Sequence, residues 1–434
     1  MDGASWGRYP EARDQRLVMV DSRRAALPDF EGKALPRGNG RSYGDSCLNS
    51  AGTLLCTRPL DRFISFDPVS GILRAEAGVT LAQVIALTLP KGWFLPVTPG
   101  TRWATLGGAI SNDVHGKNHH VAGTFGHHVR ALELLRSDGT REVLSKEAPS
   151  ARLAATIGGL GLTGLITWCE IQLKRVPGPW LETESIRFDS LSDFFRLSAT
   201  SAASHEYTVA WIDCLAKGKA LGRGHFIRSN HATGDSSVPV PGNGQRLTFP
   251  VTPPVSLVNR LTLRPFNTLY YWRQSARQVR SQQHYQSYFY PLDGIGHWNR
   301  MYGPRGFLQH QCVLPAGAAQ DAVPALLRQI SYSGQGSFLA VLKEFGDRPS
   351  PGMLSFARPG TTLALDFPNT GPSVFQLLRR LDLIVAEAGG TLYPAKDARM
   401  APSLFMQGYG AALQAFQEHI DPRISSDFWR RVME

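Results

Sequence analysis

The amino-acid sequence predicts an α+β protein of two domains, or one domain carrying a large insertion. Three observations lead there. At 434 residues the chain is longer than one hydrophobic core usually serves. With 42% hydrophobic and 10% aromatic residues it can fill sizeable cores, which excludes global disorder. Its first 175 residues run through short apolar segments and turns without regular βαβ alternation, which argues against a doubly wound sheet. No run of about 18 uncharged apolar residues occurs, and Asp2, Arg8 and Pro10 stand where a signal peptide needs an apolar stretch, so neither a span nor a leader is expected. Five widely spaced cysteines without a C-x-x-C pair read as reduced thiols of a cytosolic protein.

Residues 53–58, 63–67 and 72–77 are brief strand candidates punctuated by Gly52, Pro59, Pro68 and Gly71. Residues 81–89 have helical spacing and end at Pro90 and Gly92. Residues 129–135 and 142–144 flank a Ser-Asp-Gly-Thr hairpin signal at 137–140, and residues 165–176 close the region as a strand. Between 305 and 368 three further strands are expected. Phe307, Gln309, Gln311 and Val313 share one face of the first, Leu339, Val341 and Lys343 of the second, and Thr362, Ala364 and Asp366 of the third. Polar residues on these apolar strands point to a face that meets water or receives a polar ligand. Residues 372–390 predict a helix stopped by Gly389 and Gly390.

The formal charge is +11, and residues 215–282 hold ten cations against one anion, a net +9. Such a balance suits a polyanion, a phosphorylated ligand or an anionic membrane surface. With Pro239, Pro241, Pro250, Pro253 and Pro254 and little strand alternation, this stretch reads as long mobile loops that act as a lid.

Glycine clusters carry the chemistry. PRGNGRSYGD spans residues 36–45, TLGGAISNDVHGKNHH spans 105–120 after Pro99-Gly100-Thr101, and GGLGLTGLI spans 158–166. Closely spaced glycines let backbone N–H groups converge on an anion. The first cluster lacks the helix of a Rossmann fingerprint, and three such surfaces suit an extended ligand with a pyrophosphate.

These motifs resemble the FAD-binding domain of the vanillyl-alcohol-oxidase-type flavoproteins. The likeness continues through residues 298–309, Phe345-Gly346, Asp366-Phe367-Pro368 and LYPAKDAR at 392–399. It implies an FAD-binding domain split between residues 1–175 and 391–434, with a substrate domain of antiparallel sheet, 176–390, between them. It implies backbone and side-chain contacts to FAD from Gly38, Asn39, Gly40, Arg41, Ser42, Tyr43, Gly44, Gly100, Thr105, Leu106, Gly107, Gly108, Asn112, Asp113, Val114, His115, Ile166 and Tyr393. Some relatives carry a flavin-linked histidine where Arg41 stands, so dissociable FAD is expected.

Within the superfamily the likeness is to oxidases of the 2′-hydroxyl of polyprenylphosphoryl pentoses, the first half of an epimerisation supplying arabinan for the cell envelope. It implies a separate NAD(P)H-dependent short-chain reductase as partner, and a cytoplasmic protein held peripherally at the anionic inner face of the plasma membrane. Flavin oxidation of a secondary alcohol moves a hydride from carbon and passes a proton to a base. Lys396 is the first candidate for positive charge beside the flavin, with Tyr43 and His115 shaping the pocket or relaying the proton. Lys117, Lys343, Gln309, Gln311, Thr362 and Ala364 are candidates for sugar or phosphate contact. Ala364 stands where such oxidases carry cysteine, and Thr362 where they carry asparagine.

An aldonolactone-oxidase-like enzyme acting on free sugars would account for the glycines and not for the basic stretch. Interleaved Arg and Tyr near residues 270–290 also allow a nucleic-acid reading, though no recognised module is present and no nucleic-acid partner is expected. No metal site is expected, because Gly116 argues against a helix joining His115 to His119, and His127 and His128 read as ordinary surface or hairpin residues.

Overall fold

The computed structural model describes residues 3–234 and 247–434. Arg16–Met19, Thr53–Cys56 and Ala34–Arg37 form a parallel three-stranded sheet, in that spatial order. A second, antiparallel sheet orders Phe63–Asp67, Ile72–Glu76, Leu165–Gln172, Val129–Leu135 and Arg141–Ser145. Its hairpin closes as its sequence requires: Gly139 has φ +85°, Arg136 N–H donates to Thr140 O, and Asp138 Oδ1 accepts from Thr140 N–H. The expected helix is Leu81–Thr88, started by a reciprocal cap between Thr80 and Gln83.

The largest sheet is antiparallel and eight-stranded. Its order is Gln278–His284, Trp180–Phe188, Gly224–His231, Tyr207–Ile212, Ala340–Phe345, Gly360–Pro368, Phe307–Leu314 and Thr391–Leu392. The three strands expected between 305 and 368 lie side by side within it. Leu308, Cys312, Leu314, Leu363, Leu365 and Phe367 enter one core with Leu326, Leu327, Leu377 and Leu381 of the helices Ala316–Ser333 and Pro372–Glu387. Strand alternation turns the intervening residues to the opposite face, so Gln309 pairs with Asp366, Gln311 and Val341 flank Ala364, and Lys343 neighbours Thr362.

After Thr391–Leu392 the chain returns to its first half. Arg431 on the helix Asp427–Met433 donates to Asp45 at 2.7 and 2.9 Å and to Asp397 at 2.7 Å, and both carboxylates are buried. Ser137 is held by Asp421, and Ala34 exchanges backbone bonds with Arg423 and Ser425.

The basic stretch departs from expectation. Residues 215–282 are not one long loop: they supply the interior strand Gly224–His231, the helix Arg260–Trp272 and most of the edge strand Gln278–His284. The polar residues that mask a strand pattern there find tertiary partners. His225 Nε2 meets the carbonyls of Tyr270 and Tyr271, Ser229 donates to Thr183, and Arg228 pairs with Glu184. Several cations are thereby neutralised, including Arg223 by Asp213 and Arg280 by Glu184. Pro239 and Pro241, with part of the expected loop, lie outside the described residues. His127 and His128 are half-buried in the short turn that leads into the strand Val129–Leu135. His127 caps a short 3-10 turn through Thr124 and reaches Pro349 O, while His128 reaches Ala122 O.

Candidate active site

The loop at residues 36–45 leaves the strand Ala34–Arg37 and turns through Gly40 at φ +60°. The Arg37 guanidinium behind it donates to the carbonyls of Gly3, Ala4 and Cys47. Tyr43 N–H donates to Ala395 O at 3.0 Å, which ties this loop to the segment bearing Lys396. Thr105 caps the short helix Leu106–Ser111 by accepting from Gly108 N–H, and Gly158 N–H donates to Ile110 O, so all three glycine clusters meet.

They border one cavity of about 790 Å³ whose far wall is the polar face of the eight-stranded sheet. The residues fit FAD. A side chain at Gly100 would meet no atom within 4 Å, and at Gly161 only Pro36 O at 3.8 Å, so both glycines leave space a bound group would occupy. Arg41 lies in the same wall with its Nε buried and unpartnered, its guanidinium 4.1 Å over the Trp6 ring. A desolvated cation beside glycine backbone N–H groups suits a pyrophosphate.

Of the expected cofactor residues, Gly38, Asn39, Gly40, Arg41, Ser42, Tyr43, Gly100, Thr105, Gly107, Gly108, Asn112, Val114, His115, Ile166 and Tyr393 line the cavity. Gly44, Leu106 and Asp113 do not. Gly44 lies against the Asp397 carbonyl, Leu106 is wholly buried in a core, and Asp113 binds Gly126 N–H and Ser355 Oγ behind the wall. Contiguity in a motif includes residues that face away from the ligand.

The expected reactive and sugar-contacting residues converge on the same cavity: Lys396, Lys117, Lys343, Gln309, Gln311, Thr362 and Ala364 all line it with Tyr43 and His115. Lys343 Nζ lies 2.8 Å from His115 Nδ1 and donates to Gly116 O at 2.9 Å. On the other side of the ring, Gln311 Nε2 lies 3.1 Å from His115 Nε2 and donates to Thr362 Oγ1 at 3.3 Å. Burial first, then Lys343, keep His115 well below its ordinary value, so it is neutral. Burial also lowers Lys343 to about 7, helped by Lys117 and Lys396, and lowers Lys117 to about 7. Lys117 Nζ reaches Tyr288 O and lies 4.2 Å over the Tyr288 ring.

Lys396 is no surface lysine. Its Nζ lies 3.4 Å from the centre of the Tyr43 ring, and burial lowers it to about 7 against the pull of Asp366. Burial raises Asp366 to about 6, opposed by the Gln309 amide, which donates to it at 2.5 Å, and by Lys396. Tyr43 is pushed up by burial and by Asp366, which keeps it a neutral phenol.

Sequence reasoning singles out neither Asp366 as a site residue nor Trp6, Asp293, Tyr288 and Trp298, all except Asp366 in the cavity wall. Asp293 holds Thr101 Oγ1 and Arg102 N–H at 2.8 Å. The parity of Asp366 with Thr362 and Ala364 is a usable signal; the other four are distant in sequence. Among the described residues no group of three His, Cys, Asp or Glu is placed to hold a metal.

A cradle of glycine loops facing a cationic, amide-lined sheet defines an FAD-dependent oxidoreductase of the vanillyl-alcohol-oxidase type. The FAD binding domain family matches residues 25–145. The decaprenylphosphoryl-β-D-ribose oxidase of Mycolicibacterium smegmatis is 36% identical over 450 positions, covering 98% of this chain and 96% of that one. An uncharacterised protein of the mprA 5′ region of Streptomyces coelicolor is 34% identical over 371 residues, 82% of this chain and 100% of that one. The D-2-hydroxyglutarate dehydrogenase of Escherichia coli is 32% identical over 124 residues, 28% of this chain and 12% of that enzyme. The chain belongs to the decaprenylphosphoryl-β-D-ribose oxidase family.

Proposed function

We propose that this oxidoreductase converts the 2′-hydroxyl of a polyprenylphosphoryl pentose to a ketone, as the first half of an epimerisation. The observation that carries the reading is the meeting of Lys117, Lys343 and Lys396 with Gln309 and Gln311 in the cavity of the glycine cradle. Ammonium groups suit a phosphodiester, and amides suit sugar hydroxyls.

FAD, when bound, supplies a two-electron acceptor for the hydride. Gly38 to Ser42, Gly100, Gly107 and Gly108 would hold it, with Arg41 on its phosphates. Lys396 places positive charge where negative charge develops, and the Tyr43 ring beneath it fixes its position. Lys343, His115 and Gln311 form a connected group that orients the sugar. The split of the chain into a flavin part, 1–175 with 391–434, and a substrate part, 176–390, is supported by the Arg431 contacts to Asp45 and Asp397.

The keto product then needs a separate NAD(P)H-dependent short-chain reductase to complete the epimerisation. A prenyl tail keeps the substrate in the bilayer, so the enzyme docks on the anionic inner face of the plasma membrane. No helix among the described residues is long and apolar enough to cross it.

Anaerobic mixing of the FAD-loaded enzyme with a polyprenylphosphoryl pentose is expected to bleach the flavin, while free pentoses leave it oxidised. Equal bleaching by both would overturn the substrate class. Because Arg41 offers no linkage atom, acid precipitation is expected to release all the yellow colour; flavin retained on the pellet would contradict a non-covalent cofactor.

A further inference from the structure

The helix Arg260–Trp272 buries Leu263, Asn267 and Tyr271. Its outward side leaves Leu261, Leu269 and Trp272 exposed at 86, 72 and 56%. Leu261, Pro265, Leu269 and Trp272 fall on one stripe, since residues three and four apart share a helix face. Inward, the Asn267 amide donates to Ser337 O at 3.4 Å. The helix thus presents apolar side chains to solvent and buries an amide. At about 100° per residue, Arg264 lies on one flank of the stripe and Arg273 on the other. The chain leading in adds Val251 and Val255, exposed at 70 and 69%.

An apolar centre line with cations on both flanks is the pattern of a helix lying in the plane of a lipid interface. A contiguous exposed apolar patch marks an interaction surface, and the charge selects the partner. A second copy docking through this face would bring arginines against arginines, whereas anionic headgroups complement Arg264 and Arg273. The same helix borders the active-site cavity through Tyr270 and Arg273, so the stripe stands at the cavity's edge.

We propose that the stripe Leu261, Pro265, Leu269 and Trp272 inserts into the acyl–headgroup boundary of an anionic bilayer and sets the cavity against the lipid. The inference rests on the reading of a lipid-linked substrate, and it adds to charge-driven docking a component that salt does not remove.

The test is flotation with vesicles of phosphatidylglycerol and phosphatidylcholine at about 0.1 M and about 1 M salt, where the Debye length falls from about 10 to about 3 Å. The FAD-loaded parent is expected to keep part of its binding at high salt. Leu261→Ser with Leu269→Ser is expected to lower partitioning about tenfold or more at both salts. Its flavin content and its rate on a short-chain, water-soluble phosphopentose should match the parent, which shows the fold intact. Equal partitioning of variant and parent overturns the proposal. So does self-association that the serine pair abolishes without any vesicle binding, which would assign the stripe to a second copy. A readout independent of the serine pair is quenching of the parent's tryptophan emission by acyl-brominated lipid: it should drop in Trp272→Phe, and an unchanged quench overturns insertion. Insertion through the stripe by an enzyme that bleaches equally with free pentoses would sink the substrate reading alone.

Discussion

Lys396→Ala is expected to bind FAD as the parent does and to reduce it at least about 10²-fold more slowly in single turnover with substrate. The cradle does not depend on this side chain, because Tyr43 is tied to the backbone of Ala395 and Gly44 packs on the backbone of Asp397. The ammonium is needed where negative charge develops, so its loss should fall on the reduction step more than on substrate binding. The pH profile should carry the same signature. Burial lowers Lys396 to about 7, so the required ammonium form is present below that value and is lost as pH rises through it. The parent's reduction rate should therefore decline on the alkaline side, and the alanine variant should lose the share of that decline that Lys396 carries, keeping the share of Lys117 and Lys343, which burial lowers likewise. A near-parental rate in stopped-flow reduction would remove Lys396 from the mechanism.

Gly44→Ala should be the most damaging single methyl in the cradle. A Cβ there would sit 1.6 Å from the Asp397 carbonyl oxygen and 2.4 Å from its carbon. Those are backbone atoms held by the Arg431 bond to the Asp397 carboxylate, so they have nowhere to yield. Overpacking a tight contact costs about 1–3 kcal/mol and more where backbone must shift. The displacement separates the loop bearing Arg41 and Tyr43 from the one bearing Lys396. Expected results are a lower thermal midpoint and purified protein with little flavin. Parental melting and full flavin content would show that the two loops are not wedged together.

The ligand-facing surfaces are legible in the sequence for two physical reasons. Backbone anion cradles need glycine, which marks them directly, and strand parity by itself puts Gln309, Gln311, Lys343, Thr362 and Ala364 on one face. Parity also offers Asp366, but an aspartate before Phe367-Pro368 looks like a strand end. Trp6, Asp293 and Trp298 are illegible because they reach the cavity through tertiary packing alone. The basic stretch misleads because strand residues such as His225 and Ser229 are polar, and their partners, the Tyr270 and Tyr271 carbonyls and Thr183, are remote. A local pattern cannot show that a polar group will be satisfied from elsewhere. Asp113 and Leu106 belong to the same motif without lining the cavity, since a motif records neighbours in sequence while the cavity is bordered by those that face it.

The clasp made by Arg431 joins carboxylates of the first glycine loop and of the Lys396 segment across 386 residues of chain from Asp45. A nascent polypeptide that has displayed every glycine motif, the last ending at Ile166, has yet to make Arg431, so the buried Asp45 lacks its counter-charge and opposes closure of the cradle. Cofactor capture is therefore a late event in the protein's biogenesis, completed only after residue 431 has left the ribosome. Yellow colour in a cell extract then counts finished molecules, and fragments arrested earlier in translation stay colourless.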